Sequence, residues 1–224
     1  MRNIYLLLII LFQMISCTGS PQLVPIKRPL TFDTDKRCMT PFPDRELKLV
    51  HSIQATMPKG EKAVMLGVTA ISPKTGMIQC VIMTLEGLVL FDARYDRQIV
   101  INRAIPPFDS IDFARGLIND IKLIFFPPDG LLIASGISDD GSFVCRYRTD
   151  SGMIVDIITH KDRPWEIRQY DHDFRLIRSL KTHMGSERTT ERQNAIPARL
   201  ELTAYGPSEY SLTLELIEAR ELTK

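Results

Sequence analysis

The sequence predicts a mainly β fold of α+β type. A curved antiparallel sheet of about eleven strands is rolled into an incomplete barrel, with one long helix plugging its open side. Three features predict it. Residues 62–71, 77–84, 88–95 and 98–102 are short runs rich in β-branched residues, separated by turn chemistry at Ser72-Pro73-Lys74-Thr75-Gly76, Leu85-Glu86-Gly87 and Asp96-Arg97. Residues 110–126 then switch the apolar period from two to about 3.6. Finally, residues 195–205 and 209–217 form a hairpin about Gly206-Pro207-Ser208 with one apolar and one wet face, as a sheet wrapped around an interior requires.

Ahead of these elements lies a targeting segment, residues 1–16. Arg2 is its positive start, residues 4–12 (IYLLLIILF) its apolar run, and Met14-Ile15-Ser16 its end. The run is too short to cross a bilayer, which takes roughly 20 residues. The ending Met14-Ile15-Ser16-Cys17 resembles the bacterial lipobox, which implies that Cys17 becomes an acylated first residue and a membrane anchor. Thr18 rather than Asp follows it, which looks like an outer-membrane address. Residues 17–44 then read as a tether: Pro21, Pro25, Pro29, Pro41 and Pro43 interrupt them and no period is sustained. The folded domain is expected over 45–224.

Residues 45–56 alternate as a first strand, with Leu47, Leu49, His51 and Ile53 on one face. The meander that follows is apolar on both faces, Leu66 and Val68 on one and Met65 and Ile71 on the other, so both are expected to be covered. The helix takes Asp109 or Ser110 as its cap and Asp112 against its positive end, and it stops at Pro127-Pro128. Ala114, Leu117, Ile118, Ile121 and Phe125 form its apolar stripe, with Arg115, Asn119, Asp120 and Lys122 mostly off it. Residues 129–141 read as loop. Two further hairpins follow, 142–149 with 153–159 and 165–170 with 174–181, before a polar insert at 184–194 and the closing hairpin.

Composition excludes several classes. Lysine and arginine number 28 against 27 acids, and without Arg2 they balance, so nucleic acid is not an expected partner. Cys38, Cys80 and Cys145 leave at least one thiol without an internal disulfide partner, and neither CxxC nor Cys/His metal spacing occurs. No metal and no cofactor is expected. Nucleophile-elbow, Walker, dinucleotide and zincin motifs are missing from the sequence. His160-Lys161-Asp162 and Asp171-His172-Asp173 are the tight His/carboxylate clusters, and the second sits where a hairpin must turn. A triad assembled in space stays open to an envelope-lipid hydrolase, but the expectation is a protein that is not an enzyme.

The order of leader, lipobox, proline-rich tether, meander, helix and closing hairpin resembles the LolB-like outer-membrane lipoproteins of the superfamily shared with LolA. Residues 80–95 (CVIMTLEGLVLFDARY) are similar to that family's strand, Pro-Leu-Gly turn and strand. Residues 111–128 are similar to its helix, and 196–216 (IPARLELTAYGPSEYSLTLEL) to its closing hairpin. The resemblance implies a monomeric, lipid-anchored protein on the periplasmic face of the outer membrane. Its apolar cavity would take the acyl chains of a lipoprotein or lipid from a periplasmic LolA-like carrier. It also makes Leu85, Glu86 and Gly87 a membrane-facing turn, with the family's exposed leucine displaced by one position and a carboxylate at the tip. Candidate acyl-lining residues are Leu66, Val68 and Leu90 of the meander; Leu117, Ile121 and Phe125 of the helix; and Leu200, Leu202, Leu212 and Leu214 of the closing hairpin. The alternative is a periplasmic interaction or scaffold lipoprotein with a packed core and no ligand.

Overall fold

The computed structural model describes residues 23–29, 34–39, 41–161, 164–184, 196–207 and 209–222. The leader, Cys17 and most of the polar insert lie outside them. In chain order the elements are β1 (Arg28–Pro29), α1 (Thr34–Met39), β2 (Leu47–Thr56), β3 (Lys62–Ser72), β4 (Met77–Met83), β5 (Val89–Asp96), β6 (Gln98–Ala104), α2 (Ile111–Phe125), β7 (Leu131–Ile137), β8 (Phe143–Arg148), β9 (Ile154–Thr159), β10 (Trp165–Tyr170), β11 (Leu176–His183), β12 (Arg199–Ala204) and β13 (Tyr210–Glu221).

All strands join one sheet in the order β1-β7-β8-β9-β10-β11-β12-β13-β2-β3-β4-β5-β6, and every pairing is antiparallel. Each long strand pairs with its neighbour in sequence, except that β13 returns to β2. The break therefore falls between β6 and the short β1 that borders β7, and α2 connects β6 to β7 across it. Register shifts in the β4–β5, β5–β6, β7–β8, β10–β11 and β13–β2 pairs supply the bends a strongly curved sheet needs.

Local chemistry explains the turns and the helix. Gly76 and Gly87 take φ of 73° and 89° at the tips of the β3–β4 and β4–β5 hairpins, a region open to glycine at little steric cost. At the β10–β11 turn Asp171 Oδ1 accepts from Asp173 N and Arg175 N, so this aspartate builds the turn, as expected. Ser110 Oγ accepts from Phe113 N at 3.1 Å and caps α2, with Asp112 in its first turn and Lys122 in its last.

Three expectations need correction. Residues 131–137, read as loop, are strand β7. Leu66 and Val68 lie on the face opposite the core, because the register sets Met65, Gly67, Thr69 and Ile71 beside Ile53, His51, Leu49 and Leu47 of β2. Asp120, read as off the apolar stripe, is buried with it.

Part of the segment read as tether is joined to the domain. β1 pairs with Gly136 and Ile137 on β7, and Val24 O accepts from Arg146 Nη2 at 2.8 Å. Cys38 in α1 is disulfide-bonded to Cys145 in β8. Phe42 then packs on Trp165, ring centroids 6.2 Å apart. This strap closes one end of the barrel, beneath the last turn of α2.

Candidate functional site

The interior is walled by β2–β6 and β8–β13 and closed by one face of α2. Ala114, Ile118, Ile121, Ile124 and Phe125 of the helix are buried in it. Of the ten candidate lining residues, Leu117, Ile121, Phe125, Leu212 and Leu214 surround a common cavity of about 50 Å³. Leu200 and Leu202 are fully buried, and Leu90 packs against the core without lining that cavity. Leu200 and Phe125 border a second gap of about 20 Å³ beside Trp165 of β10, under Pro41 and Pro43 of the strap. Neither void approaches the roughly 300–1,000 Å³ of an occupied ligand pocket. The greasy side chains mesh.

A third hollow is larger, about 540 Å³, and opens at the C-terminal end of α2. Asn119, Lys122, Leu123 and Phe126 line it from the helix, the β3–β4, β5–β6 and β8–β9 turns from the sheet, and Arg178 from its floor. Lys122 Nζ sits 4.0 Å above the Tyr95 ring.

Between this mouth and the interior cavity lies a polar cluster that the sequence did not reveal. Arg178 Nε donates to Asp120 Oδ1 at 2.8 Å, and the Tyr210 hydroxyl donates to Asp120 Oδ2. Asp120 is 4% exposed. Burial outweighs the attraction of Arg178 and the Tyr210 hydrogen bond, so its carboxyl lies above the ordinary carboxylate range. Burial and the neighbouring carboxylate push the Tyr210 phenol upward in turn. The cluster ties α2 to β11 and β13 at once. Its one sequence signal is spacing: Asp120 stands three residues after Leu117 and four before Ile124, within the buried arc.

Three polar side chains, His51, Thr69 and Cys80, line the inner cavity from the sheet. His51 is 2% exposed, and its Nε2 has no hydrogen-bond partner among the described residues. Burial lowers its pKa to about 4, so the ring is neutral at pH 7. Cys80 is the free thiol among the described residues; it reaches Ala93 O at 3.7 Å, and burial raises its pKa to about 12.

At the opposite rim the β4–β5 turn exposes Leu85 and Leu88 by 59% and 51%, beside Glu86 and Gly87. The Thr84 hydroxyl holds the Glu86 carboxyl below its usual value, so the tip carries a charge between two leucines.

One cluster has the composition of a hydrolytic triad. Ser142 Oγ lies 2.8 Å from His160 Nδ1, and His160 Nε2 lies 3.9 Å from Glu166 Oε2. Its serine is also bound to a carboxylate. Ser142 Oγ donates to Asp140 Oδ2 at 2.8 Å, and Asp140 also accepts from Ser138 Oγ and Ser142 N, which lower its pKa to about 2. The Ser142 hydroxyl is thus shared between the Asp140 carboxylate and the His160 imidazole, and the group stitches the β7–β8 turn. Among the described residues no group of three or more His, Cys, Asp or Glu side chains is placed to hold a metal ion.

No family model and no curated protein sequence matches the chain. Among solved structures it is similar to a LolA superfamily protein from Nitrosomonas europaea. The TM-score is 0.50 at 11% identity, over 85% of this chain and 92% of that one. A second is described as an outer membrane lipoprotein-sorting protein domain, from Vibrio parahaemolyticus. It aligns with a TM-score of 0.48 at 11% identity, over 85% of this chain and 91% of that domain. The first of these likenesses is one of fold: a curved, unclosed antiparallel sheet with a helix across the gap.

Proposed function

We propose that this protein is an acyl-chain carrier of the LolB-like kind, anchored through Cys17 at the periplasmic face of the outer membrane. It receives the lipid chains of a lipoprotein or lipid and passes them on. The observation that supports it best is the placement of α2. This helix bridges the break in the sheet, and its residues line all three hollows. A displacement of this one element would join them.

Magnitudes make the exchange feasible. Burying Ile118, Ile121, Ile124 and Phe125 is worth about 1.5–3 kcal/mol each, roughly 6–12 kcal/mol together. An acyl chain of about 15 methylenes leaving water gains about 0.8 kcal/mol per methylene, close to 12 kcal/mol. A chain can therefore replace the helix stripe at little net change, which suits a carrier that must also let go. Handover then runs down a gradient of affinities, from a soluble LolA-like donor to this protein and on to the bilayer. Leu85 and Leu88 are the side chains we assign to touching that bilayer, with Glu86 limiting their depth.

Native mass spectrometry of the full-length chain, with uptake of a fluorescent fatty acid, tests this reading. Co-purified lipid or saturable uptake supports it. Lipid-free protein that ignores the probe favours the second reading, a lipid-tethered interaction module, which the inner void of about 50 Å³ already suits.

A further inference from the structure

The inner cavity has an unexplained polar atom. The imidazole of His51 is nearly wholly buried beside Phe125, 6.2 Å between rings, and lines the cavity with an Nε2 that no group among the described residues satisfies. Leaving a buried nitrogen bare is unfavourable, and an apolar residue in its place would avoid that. The surroundings do not answer it. Cys80 is engaged with Ala93 O, and each Asp120 oxygen is engaged with Arg178 or Tyr210. Gly67 stands directly across the strand pair from His51, and a Cβ there would meet Ile53 Cδ1 at 2.5 Å. The wall beside the ring at that position is bare backbone, and a side chain there would have to move the Ile53 terminus. A water in the cavity would have His51 and Thr69 as its side-chain partners, at the low end of the two to four a buried water uses.

Resting on the carrier reading above, we propose that His51 is a recognition point inside the barrel. Its Nε2–H donates to the ester or amide carbonyl of an acyl group that takes the place of the α2 stripe. The neutral ring expected from burial leaves one ring nitrogen as donor, and a carbonyl oxygen is the acceptor it lacks. The ligand class is then narrower than hydrocarbon: an acylated molecule drawn in past its carbonyl, not one left with that group at the mouth.

The test compares a monoacylglycerol with the alkylglycerol ether of equal chain length, which differs in lacking the carbonyl. Each is titrated against the full-length chain by displacement of a fluorescent alkyl probe. The ester is expected to bind about tenfold tighter, the worth of one hydrogen bond to an otherwise bare group. His51→Leu should remove that preference by weakening the ester alone. In wild-type protein the ester, and not the ether, should shift the imidazole ¹⁵N resonance of His51. This reading holds even if the variant does not fold. Equal binding of ester and ether, a preference untouched by His51→Leu, or an unmoved resonance at saturating ester overturns the role of His51 and leaves the carrier reading standing. Failure of both ligands to bind overturns both.

Discussion

Replacing Asp120 with asparagine changes shape hardly at all and removes the charge that holds α2 to the sheet. Breaking one side of a buried ion pair costs about 3–5 kcal/mol. The low end, about 3 kcal/mol, applies here because Arg178 keeps 22% of its side chain exposed and can recruit water once unpaired. On the carrier reading proposed above, the helix leaves when a chain enters, so the contact belongs to the closed form alone. Its loss then shifts the closed-to-open ratio by roughly a hundredfold, at 1.4 kcal/mol per factor of ten. Apparent affinity scales with the open fraction. In a fluorescent fatty-acid titration, Asp120→Asn should therefore bind up to about a hundredfold tighter while its melting temperature falls. The double variant Asp120→Leu/Arg178→Met, which replaces the pair by apolar bulk, should close more firmly and bind more weakly. A single variant that loses stability yet binds as wild type would refute the reasoning, since α2 would then not gate the interior.

Four further outcomes are expected. Neutral in the fold and chargeable when unfolded, His51 stabilises fully above its ordinary pKa of 6.5. It withdraws about 3 kcal/mol as pH falls toward its folded value of about 4. Asp120, raised in the fold, works in the opposite direction and offsets part of that loss. Urea unfolding from pH 7.5 to 4.5 should show the slope, and His51→Leu should flatten it. Reducing Cys38–Cys145, which closes a separation of 107 residues, should lower stability by about 4 kcal/mol, read as a fall in melting temperature with reductant. Cys80 should resist maleimide at pH 7.5 in folded, non-reduced protein and react at once in denaturant, because the thiolate is nearly absent and the sulfur buried. Leu85→Asp with Leu88→Asp should weaken binding to lipid vesicles while leaving fatty-acid uptake intact; unchanged vesicle binding would remove the turn from the membrane face.

The hairpins and the helix were legible because each is written in local chemistry: a glycine or aspartate where the chain turns, a serine where α2 begins, a double proline where it stops. The inner face of β3 was not. Leu66 and Val68 are as apolar as Met65 and Ile71, and alternation gives two faces without saying which is inside. Only pairing with β2, whose Leu47, Leu49 and His51 are clearly one-sided, settles the parity. β7 escaped because Ser135 and Gly136 interrupt a short run flanked by turn residues. The disulfide and the Asp120–Arg178–Tyr210 cluster join residues 58 to 107 positions apart, beyond the reach of any local pattern.

The union of β2 with β13 sets how the chain must be completed. Its first long strand finds its second neighbour only when the last one exists, so a chain emerging N-terminus first carries β2 with a bare edge until residue 221 is out. Truncation before β13 leaves two such edges, on β2 and β12, each a template for another copy. Shortened forms of this protein should therefore clump before they misfunction, and a helper that shields nascent strands matters most in the final moments of its synthesis.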